Sequence, residues 1–354
     1  MATFSPTLLI EAGCRIFEAV GADAPNARRV AEALVDANLA GHDSHGVIRI
    51  PQYVDAVRLG EVLPNARPSV LRDGGASALV DGGWGFGQVT ALYATDLAIA
   101  RARVHGVAAV GGVRCNHIGR VGEYGERAAR WGVVGFVVAG GFGGRAARAA
   151  PFGGREGFLG TNPLSFGIPT ADDDPLLVDF ATTAVAAGKI QVARAKGTPL
   201  PPDSILDREG NPTTSAEDYY AGGVMLPFGA HKGFALAMVV EMLGRAFTGS
   251  DTFAEAERGG EVYGRSGMLV LGLKADLFRA AEDFTRDVSA TRARVRAISP
   301  AAGFTEVLTP GDPEVRARRT NGQRGISVED ATVNAIAQVA RELGVTVDLT
   351  ATGS

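Results

Sequence analysis

Residues 42–49 combine several side chains that could carry out chemistry together: His42, Asp43, Ser44, His45 and Arg49. An imidazole gains or loses a proton near neutral pH, and a neighbouring hydroxyl or carboxylate can orient it. A guanidinium can bind a carboxylate through two parallel hydrogen bonds. The combination predicts proton transfer on a small acid. The order Asp-Ser-His-Gly is also typical of a turn that ends a helix, so a purely structural role stays open.

The polar turn lies inside a predicted helical segment, residues 1–60. Ser5 and Pro6 are suited to the N-cap and the first position of a helix. Apolar residues then recur at helical spacing over three stretches, 9–20, 30–39 and 53–59. The sequence therefore predicts three helices, with the polar turn between the second and the third.

The middle of the chain alternates between short apolar runs and helical patterns. The predicted strands cover 77–81, 106–111, 131–139, 164–168, 175–180 and 267–272. The predicted helices cover 87–104, 123–130, 189–194, 231–247 and 279–296. This alternation is typical of an α/β fold. Beyond it, a loop at 308–314 leads to a capping box, Ser327 to Asp330, that opens a last helix.

Composition excludes several classes of protein. The 354 residues suit two domains, and the net charge of −4 without a basic run argues against a nucleic-acid surface. Two cysteines form neither a disulfide scaffold nor a metal-ligand spacing, and we expect no metal site. No apolar run reaches the ~18 residues of a membrane span, and no leader peptide is apparent. We expect a cytoplasmic protein.

A glycine motif invites a different interpretation. Gly141, Gly143 and Ala146 follow a predicted strand in the spacing G-x-G-x-x-A of dinucleotide-binding folds. Pro151, however, ends the following segment after a few residues, which leaves no room for the helix that such a motif needs. We expect no cofactor at this motif.

Several segments taken in order resemble the malate/L-lactate dehydrogenase type-2 family of NAD(P)-dependent oxidoreductases. They are Asp43-Ser-His-Gly46 with Arg49 and Pro51, Asn116-His-Ile-Gly119, Gly160-Thr-Asn-Pro163, Asp179-Phe-Ala-Thr-Thr-Ala184, Gly188-Lys189, His231-Lys-Gly233 and Pro310-Gly-Asp-Pro-Glu314. The resemblance covers nearly the whole chain.

The resemblance implies an α/β, non-Rossmann NAD(P)-binding domain with a mixed sheet, and a homodimer whose active site borrows from both chains. It implies a substrate that is a small 2-hydroxy or 2-keto acid of the malate, lactate or hydroxycarboxylate type, and NAD or NADP as cofactor. A cyclic imino acid reductase and a ureidoglycolate-type dehydrogenase stay open. The alternative from another class is a catalytically inactive carboxylate-binding protein.

The expected roles follow from the resemblance and from side-chain chemistry. His45, next to Ser44, is the expected proton carrier, and His117 is the alternative carrier or a contact to substrate or cofactor. Arg49 is the expected carboxylate anchor, one helical turn after His45. Asp179, at a predicted strand end, could hold the imidazole in one tautomer.

The expected cofactor contacts come from four segments. They are His117, Ile118 and Gly119; Asp179, Phe180, Ala181 and Thr182; His231, Lys232 and Gly233; and Pro310, Gly311, Asp312 and Pro313. The start of the helix at 231 suits a pyrophosphate, and Asp312 is available for ribose hydroxyls. His42 and His105 are expected to be turn and surface residues, and Phe86, Phe142 and Phe180 to be core.

We expect two domains, one of which contains both ends of the chain. Residues 1–72 and 300–354 form a helical domain for dimerisation and substrate binding, and residues 73–299 form the cofactor-binding domain.

Overall fold

The computed structural model describes residues 2–349, except the side chains of residues 195 and 196. Within this part of the chain the helices are α1 Pro6–Ala19, α2 Ala24–Leu39, α3 Ile50–Arg58, α4 Gly87–His105, α5 Gly122–Arg130, α6 Ala187–Lys196, α7 Ala216–Tyr220, α8 His231–Glu241, α9 Gly260–Tyr263, α10 Ala281–Arg296, α11 Asp312–Arg324 and α12 Asp330–Glu342. A π-helical turn, Met242–Ala246, continues α8. None of these helices is long and apolar enough to cross a membrane.

The strands are β1 Ala2–Phe4, β2 Ser69–Asp73, β3 Ser77–Asp81, β4 Val107–Val113, β5 Val133–Gly140, β6 Leu164–Ile168, β7 Leu176–Phe180, β8 Ile205–Leu206, β9 Pro212–Thr213, β10 Val224–Met225, β11 Gly267–Lys274 and β12 Ile326–Val328. The predicted strands and helices of the middle of the chain are present with small shifts of their ends, and the predicted α/β class is confirmed.

A seven-stranded mixed sheet, in the order β2-β3-β4-β11-β5-β6-β7, forms the centre of the molecule. Only β3 and β4 are parallel, and the other neighbours in this sheet are antiparallel. The central strands β4, β5 and β11 are buried along most of their length, which explains their continuous apolar runs. Helices α4 and α5 pack against the sheet.

The N-terminal helices form a separate core with the end of the chain. Phe17, Leu34 and Val54 from α1, α2 and α3 pack with Ile336 from α12. A two-stranded ribbon, β1 with β12, fastens the two chain ends together. The predicted N-cap is present, since the Ser5 hydroxyl accepts a hydrogen bond from the Leu8 N–H.

The C-terminal segment differs from the prediction at two places. The predicted capping box is wrong, because Ser327 lies in β12 and α12 begins only at Asp330 after Glu329. Helix α11 was not predicted, because its sequence has almost no apolar residues from which to read a helical period. The division into domains at 72/73 stays a prediction, although β2 already pairs with β3 in the large sheet.

The glycine motif has the local structure that its sequence indicates. Gly144–Ala146 form one short 3-10 turn, and no α-helix follows before Pro151.

Candidate active site

Two histidines that are distant in sequence stack on one another. His45 ends the 3-10 turn Asp43–His45, which follows α2, and His117 lies in the loop between β4 and α5. Their ring centroids are 5.5 Å apart and the rings are nearly parallel, at 16°. The structure thus brings together the two residues that the sequence offered as alternative proton carriers.

Three further side chains surround His117, and the sequence assigned a role to none of them. The Tyr53 hydroxyl lies 2.6 Å from His117 Nδ1, and Gln88 Nε2 donates to that hydroxyl at 2.7 Å. The Tyr263 ring lies 5.6 Å from the imidazole. The position of Tyr53 at the end of the polar stretch was the only available signal, and Gln88 and Tyr263 had none.

Both imidazoles are neutral at neutral pH. Burial lowers the pKa of His45 to about 3, and the positive charges of Arg49, His42 and Arg120 lower it further. Burial also lowers the pKa of His117 well below its usual value, with Arg49 and His45 as smaller causes. In this state each ring has one nitrogen that donates and one that accepts.

Asn38, near the end of α2, fixes the turn that carries His45 through two hydrogen bonds. Asn38 Nδ2 donates to Asp43 Oδ1 at 2.7 Å, and Asn38 Oδ1 accepts from the Val47 N–H at 2.9 Å. A Cβ atom on Gly46 would meet the Asn38 amide at 2.2 Å, so this close packing requires glycine. The Ser44 hydroxyl lies 3.1 Å from His45 Nδ1, within hydrogen-bond distance.

Arg49 contacts the polar turn, but the backbone between His45 and Arg49 is not the continuous helix that was expected. The chain does not continue helically from His45 to Arg49, because extended backbone at Gly46 separates two 3-10 turns. Arg49 Nε nevertheless donates to the Ser44 carbonyl at 2.6 Å, and its Nη1 donates to Gln52 Oε1 at 2.6 Å. The guanidinium therefore lies beside the two imidazoles, whose pKa values its charge lowers.

Asp179 lies at the end of β7, as predicted, but its contacts are with other groups than His45. Arg120 Nη1 donates to its carboxylate at 3.3 Å, and His42 Nε2 lies 4.0 Å from it. Burial raises the pKa of Asp179, and the charge of Arg120 opposes this. His42 also lies 3.3 Å from Glu314 Oε1, and the expectation that it is a turn residue stays a prediction. His105 is exposed, as expected.

The segment Phe180-Ala181-Thr182, which begins at the last residue of β7, runs beside the segment that leads into α8. The Thr182 N–H and hydroxyl both donate to the Thr161 carbonyl, at 2.8 and 3.0 Å, and the Phe228 N–H donates to the Thr182 carbonyl at 3.1 Å. The Phe180 ring packs edge-on against Phe228 and is 40% exposed, so the expectation that it is a core residue is wrong. Phe86 is buried, as expected, and Phe142 is half-buried.

Helix α8 offers an open N-terminus. His231 and Lys232 are exposed, and Gly233 is buried where a Cβ atom would meet the Phe228 carbonyl oxygen at 1.9 Å. The backbone N–H groups of a first helical turn attract anions. Ile118 and Gly119, the other expected cofactor contacts, are buried next to His117.

The Pro310–Pro313 segment packs on the first part of β7 rather than beside the imidazoles. The Leu177 N–H donates to the Pro310 carbonyl at 3.3 Å, and Gly311 has a φ of 94°. The Asp312 carboxylate accepts hydrogen bonds from Arg292, Arg296 and Thr309. These contacts hold its pKa far below the usual range despite burial. The structure therefore does not leave Asp312 available for ribose, because its oxygens anchor α11 to α10.

Comparison with known proteins gives one consistent family. The sequence model of the malate/L-lactate dehydrogenase family matches residues 5–337. Hydroxycarboxylate dehydrogenase B of Escherichia coli O157:H7 is 38% identical over 334 residues, which are 93% of this chain and 91% of that protein. The resemblance to this enzyme is also visible in three segments of the sequence, 117–120, 196–202 and 226–232.

Solved structures agree with the sequence comparison. The sulfolactate dehydrogenase of Methanocaldococcus jannaschii superposes with a TM-score of 0.87 at 31% identity, over 98% of each chain. The Δ1-piperideine-2-carboxylate reductase of Pseudomonas syringae pvar. tomato superposes with a TM-score of 0.83 at 31% identity, over 96% of this chain and all of the other.

The fold and the paired imidazoles thus belong to a dehydrogenase, and the prediction of an enzyme of the 2-hydroxy acid dehydrogenase class is confirmed. More particularly, the chain belongs to the malate/L-lactate dehydrogenase family.

Proposed function

We propose that the protein catalyses reversible hydride transfer between NAD or NADP and a small 2-hydroxy or 2-keto carboxylic acid. The observation that carries this proposal is the stacking of His45 on His117 beside the guanidinium of Arg49. The arrangement offers a proton carrier, a hydrogen-bonding partner and a carboxylate anchor within one small volume. The nicotinamide cofactor, when bound, supplies the hydride acceptor or donor.

His45 is the proposed proton carrier. In alcohol oxidation its neutral imidazole accepts the hydroxyl proton, and in ketone reduction its imidazolium donates a proton to the developing alkoxide. The pKa of about 3 in the free protein is too low for this exchange at neutral pH. A substrate carboxylate on Arg49 cancels one of the positive charges that lower this pKa. Substrate binding therefore removes part of the charge effect on the pKa of His45, while burial, the largest cause of the low value, stays.

The chain's own groups fit a nicotinamide dinucleotide on the side of Thr182 and α8. Exposed His231 and Lys232 at the start of an 11-residue helix suit the pyrophosphate. The segments 117–119 and 180–182 suit the nicotinamide half, because His117 stacks on His45 and Asp179 lies 4.0 Å from His42 of the same polar turn. Asp312 is left out of the proposed cofactor site.

The proposed cofactor domain is non-Rossmann. The mainly antiparallel order of the seven-stranded sheet supports this, since a dinucleotide-binding Rossmann unit needs consecutive parallel strands. The missing helix after Gly143 supports it as well.

The substrate class rests on the family and on Arg49. Malate, lactate, sulfolactate and larger hydroxycarboxylates all present a carboxylate next to the reacting carbon. A cyclic imino acid is a second candidate substrate, favoured by the likeness to the piperideine-carboxylate reductase. We also propose a homodimer and a cytoplasmic location; the two cysteines, Cys14 and Cys115, are buried and unpaired, as suits a reducing compartment.

A cofactor-oxidation assay tests the proposal. The protein is mixed with NADH or NADPH and a panel of 2-keto acids, with one cyclic imino acid included, and the nicotinamide absorbance is followed. We expect turnover of at least one 2-keto acid. Calorimetric titration with each nicotinamide provides the second measurement. Absence of both turnover and binding would leave the inactive carboxylate-binding protein as the better interpretation.

A further inference from the structure

Two consecutive hydrogen bonds link Gln88, through Tyr53, to His117 Nδ1. Gln88 on α4 donates from Nε2 to the Tyr53 hydroxyl at 2.7 Å, and that hydroxyl lies 2.6 Å from His117 Nδ1. Gln88 and Tyr53 are buried, at 0% and 4% exposure. Water therefore does not compete for the hydrogen bond between Gln88 and Tyr53.

The positions of the protons follow from counting donors. A tyrosine hydroxyl has one proton to donate. Gln88 donates to the Tyr53 oxygen, and among the described residues His117 Nδ1 is the only acceptor within hydrogen-bond distance of the hydroxyl. The hydroxyl proton therefore points to His117, and Nδ1 accepts it. A neutral imidazole that accepts at Nδ1 has its own proton on Nε2.

The orientation of the Gln88 amide supports this direction. Its Oε1 has no hydrogen-bond partner among the described residues. Exchanging the two ends of the amide would bury both N–H groups at a position where the present oxygen makes no hydrogen bond. Within the described part of the chain, the flipped amide would leave two N–H groups unpaired, whereas the present one leaves one N–H and Oε1 unpaired. An unpaired buried N–H is rarer in proteins than an under-satisfied carbonyl oxygen.

We propose that Tyr53, oriented by Gln88, is a positioning residue that holds His117 as its neutral Nε2–H tautomer. His117 then donates a hydrogen bond to the reacting oxygen of the substrate, and His45 alone moves the proton. This assignment rests on the proposed dehydrogenase function and divides the work between the two stacked imidazoles.

A proton relay from Tyr53 through His117 is opposed by the surroundings. Such a relay would leave a phenolate on Tyr53 as the imidazole gave up its Nε2 proton. Burial raises the pKa of Tyr53 far above its usual value, so this buried phenolate is unfavourable. The stacked rings also repel one another when both are charged, because their centroids are only 5.5 Å apart.

Nitrogen NMR of the cofactor-free protein tests the tautomer without any assay of turnover. The chain has five histidines, so selective ¹⁵N-histidine labelling with single His→Gln variants assigns each ring. We expect His117 as the Nε2–H tautomer in the wild type, unchanged between pH 6 and 8. In Tyr53→Phe, and in Gln88→Met if the first variant fails to fold, we expect a mixture of tautomers. A wild-type His117 with its proton on Nδ1 would overturn the proposal.

Kinetics test the catalytic half of the proposal. Removing one hydrogen bond of about 1 kcal/mol should lower kcat of Tyr53→Phe about fivefold, with KM changed less than twofold. Tyr219→Phe, which changes a buried ring in another cluster, is the matched control and should keep the wild-type kcat. A changed tautomer with an unchanged kcat would overturn the role of His117 as donor. If no hydroxy acid is turned over by any variant, the proposed function fails, whereas the NMR result still decides the tautomer.

Discussion

Two neighbours act on His45. The Ser44 hydroxyl lies 3.1 Å from its Nδ1, and the positive charge of Arg49 lowers its pKa. We predict that His45→Ala lowers kcat by 10²- to 10⁴-fold, the usual contribution of a general acid or base. Its affinity for nicotinamide cofactor should stay within a few-fold, because the proposed pyrophosphate contacts lie at α8. Steady-state kinetics and calorimetric titration measure the two effects.

His117→Ala is the companion variant. It should keep more activity than His45→Ala, since it loses a hydrogen-bond donor and not the proton carrier. The reverse order of activities would exchange the roles of the two histidines.

The half-buried imidazoles also make stability depend on pH. The folded pKa of His45 is about 3 and its usual value is 6.5. Between these values the unfolded chain binds more protons than the folded one, so stability falls as the pH falls below 6.5 and is level above it. From pH 7.5 to pH 5.5 each imidazole should cost about 1 kcal/mol of unfolding free energy.

Urea unfolding at the two pH values measures this loss. His45→Asn should lose about 1 kcal/mol less than the wild type between pH 7.5 and 5.5. His105→Asn, which changes an exposed histidine, is the control and should lose as much as the wild type. Equal losses in all three proteins would show that His45 titrates normally in the folded state.

At the scale of elements, a cluster of charges joins α2, α5 and α11 behind the polar turn. Arg318 on α11 donates to both oxygens of Asp36 at 2.6 and 2.9 Å and to Glu126 at 2.9 Å. Arg120 bonds the same two carboxylates from the other side, and it also holds Asp179. Through Arg120 and Asp179, the cluster therefore links α11 to the end of β7, next to the candidate active site.

Removal of Arg318 tests this connection. The Arg318 side chain is only 21% exposed, and its loss removes charged hydrogen bonds to Asp36 and Glu126 while Arg120 stays paired with both. Arg318→Met should therefore lower the unfolding free energy by about 1.5–3 kcal/mol, the range of hydrogen bonds to charged groups. The neighbouring Arg319 makes an ion pair with Asp174 while 72% exposed, so Arg319→Met should cost less than about 1 kcal/mol. Thermal and urea unfolding measure both variants, and equal losses would show that the cluster adds little.

The first turn of α6 packs closely against the polar turn. A Cβ atom at Gly188 would meet Ser44 Cβ at 2.6 Å. We predict that Gly188→Ala displaces Ser44 and lowers kcat at least tenfold, a size typical of small displacements of catalytic groups. Gly322 in α11 has open space around its Cβ position among the described residues, so Gly322→Ala should keep full activity. Full activity in Gly188→Ala would mean that the turn adapts without cost.

At the scale of the whole molecule, large apolar side chains remain on the surface of the single chain. Phe247, Phe278 and Phe304 are 72%, 92% and 72% exposed. Burial of such side chains in a second copy would contribute about 1.5–3 kcal/mol each. We predict that sedimentation equilibrium at micromolar concentration gives twice the mass of one chain. A single-chain mass at all concentrations would refute the proposed homodimer.

The amino-acid sequence by itself predicted most of the strands and helices and the main candidate site residues. Apolar runs predicted the central strands, because a strand covered on both faces must be apolar throughout. Ser5 and Pro6 marked the first helix, because their chemistry caps a helix locally. The ordered motifs, from Ser44-His45 to His231-Lys232, pointed to the family that the comparisons then confirmed.

The tertiary structure alone decided which of these residues meet. Helix α11 escaped prediction because ion pairs such as that of Arg318 hold it, and such pairs leave no period in the sequence. The sequence predicts that Asp312 binds a ligand, whereas the structure shows its oxygens bound to Arg292, Arg296 and Thr309. The contacts of Tyr53 and Gln88 with His117 join separate elements, and side-chain patterns report burial but not the partner across a long loop. The different roles proposed for His45 and His117 therefore depend on tertiary packing.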